Sequence, residues 1–359
     1  MTRDAVPPAG TIAAPARARD DKAMLRAAAD LTRDLNRPSA RIYWADFLAS
    51  ASVGYAALGL AATTASTVVM LIAGVVSILA LFRAGSFIHE LTHIKKGDLN
   101  GFKLGWNLIA GIPLLIPSFL YEGIHNLHHA KIRYGTVDDP EYLPLALMKP
   151  WTLPLFMVAA ALAPLALLFR FAVLTPLSLL FPPLRTLVVE RYSGLQINPR
   201  FRRKPAEGDL ARQWRWQEAG ASVWAIALVT MILTGIIPLH AALVFLAVTS
   251  GTMLLNQTRT LVAHLWENDG EPLSVTGQFL DSVNVPPPGL SAELWAPVGL
   301  RYHALHHLLP GLPYHALPAA HRRLKATLGE DSAYHGANYG GLFGLVGRLA
   351  VNSWRGGPA

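Results

Sequence analysis

Two stretches of about forty residues limit what this chain can fold into. Residues 45–82 contain one charged side chain, Asp46, and residues 219–256 contain none. At about 1.5 Å per residue, each run is long enough for two short membrane spans joined by a turn. The weakly polar Thr63–Thr67 segment marks the first turn, and Ile237-Pro238-Leu239-His240 the second. Two further apolar stretches, 104–121 and 145–183, are ambiguous. The second is broken by six prolines and contains Arg170. Each fits a spanning, re-entrant or interfacial segment.

Composition agrees with a membrane class. Hydrophobic residues make up 52% of the chain and charged residues only 15%, against about 25% charged in an ordinary soluble domain. The net charge of +8 is unevenly placed. Neither proposed turn carries Lys or Arg, whereas 184–216 carries Arg185, Arg191, Arg200, Arg202, Arg203, Lys204, Arg212 and Arg215. The N-terminal arm and the C-terminal segment are also basic. The positive-inside rule puts all three in the cytoplasm. The expected fold is therefore an all-α integral membrane protein. Two transmembrane helical hairpins carry a cytoplasmic helical cap, with both termini on that side of a bacterial inner membrane or its equivalent. Residues 1–40 read as a mostly disordered polar arm with a short helix around 22–36. Residues 41–325 read as the membrane domain and 326–359 as a cytoplasmic tail. The arm lacks the apolar core of a signal peptide, and no motif supports nucleic acid as a partner.

Cysteine is absent, which excludes disulfides, thiolate-bound zinc, cysteine-ligated iron–sulfur clusters and a cysteine nucleophile. Histidine occurs 13 times, and eight copies form three clusters. These are His89-Glu-Leu-Thr-His93, His125-Asn-Leu-His128-His129 and His303-Ala-Leu-His306-His307. On a helix, side chains three or four positions apart share a face, so each cluster aims imidazoles at one point. The adjacent second histidine suits a nearby second metal. His240 has no such company and reads as structural.

Three metal chemistries compete. HELTH alone fits a zinc hydrolase, with Glu90 as general base, but this leaves two clusters unused. A carboxylate-rich iron pair would use Glu90-x-x-His93 and Glu122-x-x-His125, but clear glutamates on two further helices are missing. A histidine-rich iron pair uses all three clusters. Eight imidazoles exceed what one ion binds, and imidazole suits iron, copper, nickel and zinc alike.

The order HxxxH, HxxHH, HxxHH resembles the membrane fatty-acid desaturase family, which includes related hydroxylases and ketolases. Gly135-Thr-Val-Asp-Asp-Pro140 and His306-His-Leu-Leu-Pro-Gly-Leu-Pro-Tyr-His315 strengthen the likeness, which extends over about residues 45–325. The resemblance implies two non-haem Fe ions, with O2 as co-substrate and His89, His93, His125, His128, His129, His303, His306 and His307 as ligands. A ninth histidine follows the last span in many members, and His264 occupies that place here. Where some relatives carry an asparagine four residues earlier, this chain has Thr260, and the nearest asparagine is Asn256.

The implied activity is desaturation of a fatty acyl chain carried on lipid, CoA or a carrier protein. The alternative is hydroxylation or ketolation on the same centre. Electrons come from a separate donor of ferredoxin, rubredoxin or cytochrome b5 type, because no haem, flavin or iron–sulfur signature is present. The basic 184–216 segment is a candidate docking surface for it. Ligand imidazoles usually donate their second N–H to a carboxylate or carbonyl. Glu90, Glu122, Asp138, Asp139, Glu267 and Asp269 lie close enough in sequence to be candidates for that role.

Overall fold

Prolines, short hydroxyl residues and glycines set the helix limits. The computed structural model describes residues 19–95 and 97–356. Among these residues the protein is helical, with no β-structure beyond three isolated bridges. After α1 (Lys22–Leu31), Pro38-Ser39 lead into α2 (Ala40–Thr63). The chain then reverses at 64–66, and the Ser66 hydroxyl caps α3 (Thr67–Leu91) by accepting from Val69 N at 3.4 Å. α4 (Phe102–Trp106) follows Gly101, whose φ of 81° suits glycine best. It runs into a π-helical turn, Asn107–Gly111. α5 (His125–His128) is a single turn.

α6 (Thr152–Phe169), a π turn over Arg170–Leu174 and α7 (Thr175–Leu180) make one long apolar rod. α8 (Pro182–Tyr192) returns from its end. α9 (Gly208–Leu233) and α10 (Leu239–Leu261) form the second hairpin, with Pro238 opening α10. The remaining helices build the cap: α11 (Val275–Asp281), α12 (Ala292–Trp295), α13 (His303–Leu308), α14 (Leu317–Thr327) and α15 (Leu342–Gly356).

Both expected hairpins form, with turns where the sequence places them. Small residues let the helices approach, as is usual in membranes. A Cβ at Gly54 of α2 would lie 2.6 Å from Leu81 Cδ2 of α3, and the Ser77 hydroxyl donates to Gly54 O at 2.9 Å. The outer faces stay apolar and open: Leu71 is 61% exposed and Leu233 80%. An apolar surface of this extent needs lipid against it. Five helices are long and apolar enough to cross a membrane, spanning 40–63, 67–91, 152–180, 208–233 and 239–261.

Two ambiguous stretches resolve in the structure. In 104–121, Asn107 lies beside Ser118, donating to its hydroxyl at 3.0 Å and accepting from its backbone N–H at 2.8 Å. The stretch doubles back and cannot span. The rod 152–180 is long enough to cross, but both of its flanks are tied to segments next to the histidines, one after His264 and one before His125. Ala146 N donates to Trp266 O at 3.2 Å, and Leu195 N to Leu120 O at 2.8 Å. Arg170, midway, already reaches Tyr192 O at 3.0 Å and Glu218 at 2.7 Å. The return helix α8 has 11 residues, about 16 Å, which is half a hydrocarbon core. The rod therefore leaves and rejoins one face of the protein.

The two terminal segments read from sequence as arm and tail both pack against the cap. The first 18 residues of the expected arm lie outside the described residues. The short helix expected around 22–36 is there as α1 and a 3-10 turn over Arg33–Leu35, and it is no free arm: Met24 and Ala28 pack fully buried against α13, α14 and the 333–337 turn. The segment 326–359 is no loose tail either, since Leu345 and Leu349 of α15 are buried in the cap; its last three residues lie outside the described residues.

Candidate metal centre

The ends of the long helices meet the cap at one place, and nine histidines converge there. His89 closes α3 and His93 follows it, while His125 and His128 form α5 and His129 caps it. His303, His306 and His307 lie on α13, and His264 lies just beyond α10, held by a bridge to Ser282. They sort into two groups: His89, His93, His125, His129 and His306, and separately His128, His264, His303 and His307. Within each group, one nitrogen per residue lies within 4.8 Å of all the others.

In this partition the adjacent histidines of each HxxHH go to different groups, as the reading of a second nearby metal had it, and the pair that stays together is the one four apart, not the one three apart. Residues four apart stay together, as in His89/His93, His125/His129 and His303/His307. Adjacent histidines separate, as in His128/His129 and His306/His307. α5 and α13 are short and sit between the two groups, so one turn serves both. His240 is exposed at the far turn and joins neither group.

The donors fit a metal pair. His89 Nε2 and His93 Nε2 are buried without a hydrogen-bond partner. Other Nε2 atoms face each other: His125 and His129 at 2.9 Å, His129 and His306 at 3.1 Å, His264 and His303 at 3.0 Å. Two nitrogens each about 2.1 Å from one ion would lie roughly 3.0–3.4 Å apart. The imidazoles are also suited to ligation by charge, since only the neutral form binds a metal. Burial pushes His93 down to about 4. Burial first, then neighbouring imidazoles, hold His125, His129, His306 and His307 well below the usual histidine range. Burial and the Arg259 guanidinium do the same for His303.

Four outer nitrogens, Nδ1 of His125, His128, His264 and His303, have partners, mostly ones the sequence did not reveal, whereas Nδ1 of His89, His306 and His307 is buried without one. Of the six candidate carboxylates, only Asp139 is hydrogen-bonded to a ligand imidazole, with Oδ2 at 2.9 Å from His128 Nδ1. Burial lowers His128, but the charge and hydrogen bond of Asp139 outweigh this, and the net direction is upward. Glu90 takes hydrogen bonds from the Tyr43 hydroxyl and from Tyr314 N, and its other oxygen is 3.6 Å from His89 Nδ1. It braces box and cap together through Oε2, which takes both of these hydrogen bonds.

The other four candidates are corrected. Glu122 pairs with Lys103, and Glu267 with Arg348 and Asn352. Asp138 and Asp269 are exposed in loops. Nearness in sequence failed because the loops turn these side chains away.

Several residues around these nitrogens were missed. Glu141 Oε2 lies 3.1 Å from His125 Nδ1, which the Tyr121 hydroxyl also meets at 2.9 Å. The Tyr134 hydroxyl joins His264 Nδ1 to Asp281, at 2.8 Å on each side. Arg259 donates to His303 Nδ1 at 3.0 Å. Burial pushes Glu141 up to about 7 and Asp281 up to about 6. Glu141 follows the Gly135–Pro140 text closely enough to have been suspected. Asp281 and Arg259 had no such signal. Thr260 spends its hydroxyl on Asn256 O at 2.9 Å, and Asn256 is exposed, so neither takes the place of the missing asparagine.

The docking surface also changes. Arg203 is 6% exposed, donating to Phe119 O, Ser193 O and Glu122 O while lying over the Trp214 ring. It fastens the segment before the second histidine cluster and is not available to a partner.

Comparison with known proteins accounts for this arrangement. A ceramide hydroxylase of Caulobacter vibrioides (strain NA1000 / CB15N) is 49% identical over 334 residues, covering 93% of this chain and 95% of that protein. No solved structure matches the chain. The family model for fatty acid desaturases matches residues 65–338, well over half of the sequence, and ends the zinc-hydrolase reading of HELTH. The chain is an integral membrane oxidoreductase that belongs to the fatty acid desaturase family.

Proposed function

We propose that the protein hydroxylates ceramide or a closely related sphingolipid. The similarity to a ceramide hydroxylase over nearly the whole of both chains carries this reading. It replaces desaturation, put first from the sequence, with the alternative named beside it. The balance is one C–H bond, one O2, two electrons and two protons giving one C–OH and one water. The electrons come from a ferredoxin, rubredoxin or cytochrome b5 type donor.

The nine histidines would hold two iron ions, and the bound iron supplies the oxygen activation that no side chain can. The chain's own part is placement. Asp139, Glu141 and Tyr134 fix the ring orientations of His128, His125 and His264. The cap encloses the histidines: His125, His128 and His306 are 1–2% exposed, which keeps bulk water from the oxidising centre. The proposed orientation puts the cap in the cytoplasm, where the donor is.

Desaturation of an acyl chain is the second reading, favoured by the family match itself. Mass spectrometry of lipids from cells with and without the gene separates the two. A ceramide gaining one oxygen supports hydroxylation, and a lipid losing two hydrogens supports desaturation. An unchanged sphingolipid pool in cells that make ceramide would sink the proposal.

A further inference from the structure

Helix α15 has an apolar face with no protein against it. A helix turns by roughly 100° per residue, which sorts its side chains into three strips. Leu345 and Leu349 are 5% and 6% exposed and pack into the cap beside Val262, Leu265, Leu261 and Trp266. On the opposite side, Phe343 is 90% exposed, Trp354 79%, Val351 46% and Val346 43%, with Ala350 among them. Polar residues occupy one narrow edge between the two. There Arg348 and Asn352 meet Glu267 at 3.0 and 2.8 Å, and Arg355 lies on the same strip.

The open face continues an apolar surface that already needs lipid. The cluster holding Leu349 also contains Leu153, Phe156 and Met157 from the first turns of α6. Immediately beside them Trp151, Leu155 and Val158 are 62%, 54% and 55% exposed. These belong to the long apolar rod whose two flanks stay on the cap side. Aromatic residues on the open face and arginines at its edge match a helix lying in the bilayer interface.

We propose that α15 is an in-plane membrane helix, with Phe343 and Trp354 set into the boundary between lipid head groups and acyl chains. Through Glu267 it ties the bilayer surface to the loop that carries His264. The segment read from sequence as a cytoplasmic tail would then anchor one wall of the metal centre to the lipid that supplies substrate.

The absence of cysteine makes the test direct. Single-cysteine variants Phe343→Cys, Trp354→Cys and Arg355→Cys are labelled with a nitroxide in the full chain. The protein is then reconstituted in phosphatidylethanolamine–phosphatidylglycerol vesicles. Leu71→Cys serves as a lipid-facing reference, and iron content equal to that of the parent verifies the fold. Collision of each label with lipid-soluble oxygen and with a water-soluble nickel chelate is measured. Labels at 343 and 354 should behave like the one at 71, with nickel collision several-fold below that at 355. Equal nickel access at 343, 354 and 355 would overturn the proposal by placing the face in water. Shielding from both reagents would overturn it by placing a second copy or another protein there.

Discussion

Asp139 and His128 form a buried pair, with carboxylate and Nδ1 2.9 Å apart. The carboxylate also accepts from Gly135 N and Glu141 N, both at 2.9 Å, so its position is fixed independently of the histidine. Asp139→Asn should therefore lower iron affinity by about 10–100-fold, the usual effect of removing such a support. Asp138→Asn, one residue away but exposed, should leave it unchanged. Competition with a chelator measures both. Equal affinity in Asp139→Asn and wild type would refute the orienting role.

The two histidine groups make separable claims about metal content. His93→Ala removes a ligand from the five-membered group and His303→Ala one from the four-membered group. Each variant should lose mainly one of the two ions, because imidazole ligation is local to its own group. Elemental analysis after reconstitution counts the iron. Loss of both ions from either single variant would mean that the groups act as one site.

Arg203 should matter for folding and its neighbours should not. Removing a buried guanidinium that satisfies three carbonyls leaves acceptors unpaired, each costing about 1–3 kcal/mol. Arg203→Ala should lower the midpoint of thermal unfolding in detergent. Arg202→Ala and Lys204→Ala should leave that midpoint in place, and slow electron delivery in a salt-sensitive way if the segment receives the donor. An unchanged midpoint in Arg203→Ala would refute the fastening role.

Acid should destabilise the chelator-treated, metal-free protein. Seven imidazoles outside the spans, His93, His125, His129, His264, His303, His306 and His307, are lowered in the fold. Below about pH 6.5 the unfolded chain binds protons that the folded chain refuses, so stability falls with pH. His128 is raised, Glu141 is pushed up to about 7 and Asp281 to about 6. These three bind protons more readily when folded and act in the opposite direction, but they are outnumbered. The unfolding midpoint should drop between about pH 6.5 and 4. A flat profile over that window would mean that the imidazoles are solvated in the metal-free state.

The sequence by itself determined the membrane class, both hairpins with their turns, and all nine converging histidines. Uncharged length and histidine spacing are local properties, and a chain that lacks cysteine has few other ways to hold metal. The tertiary structure decided which histidine joins which group, because adjacent residues on a one-turn helix face opposite sides and only the packed neighbours show where each leads. It also decided the supports. Glu141, Tyr134 and Arg259 reach imidazoles directly and Asp281 does so through Tyr134, whereas Asp138 and Asp269, nearer to histidines in sequence than most of these, are exposed in loops. A hydrogen bond needs position and direction, and distance along the chain supplies neither when the backbone between is a loop.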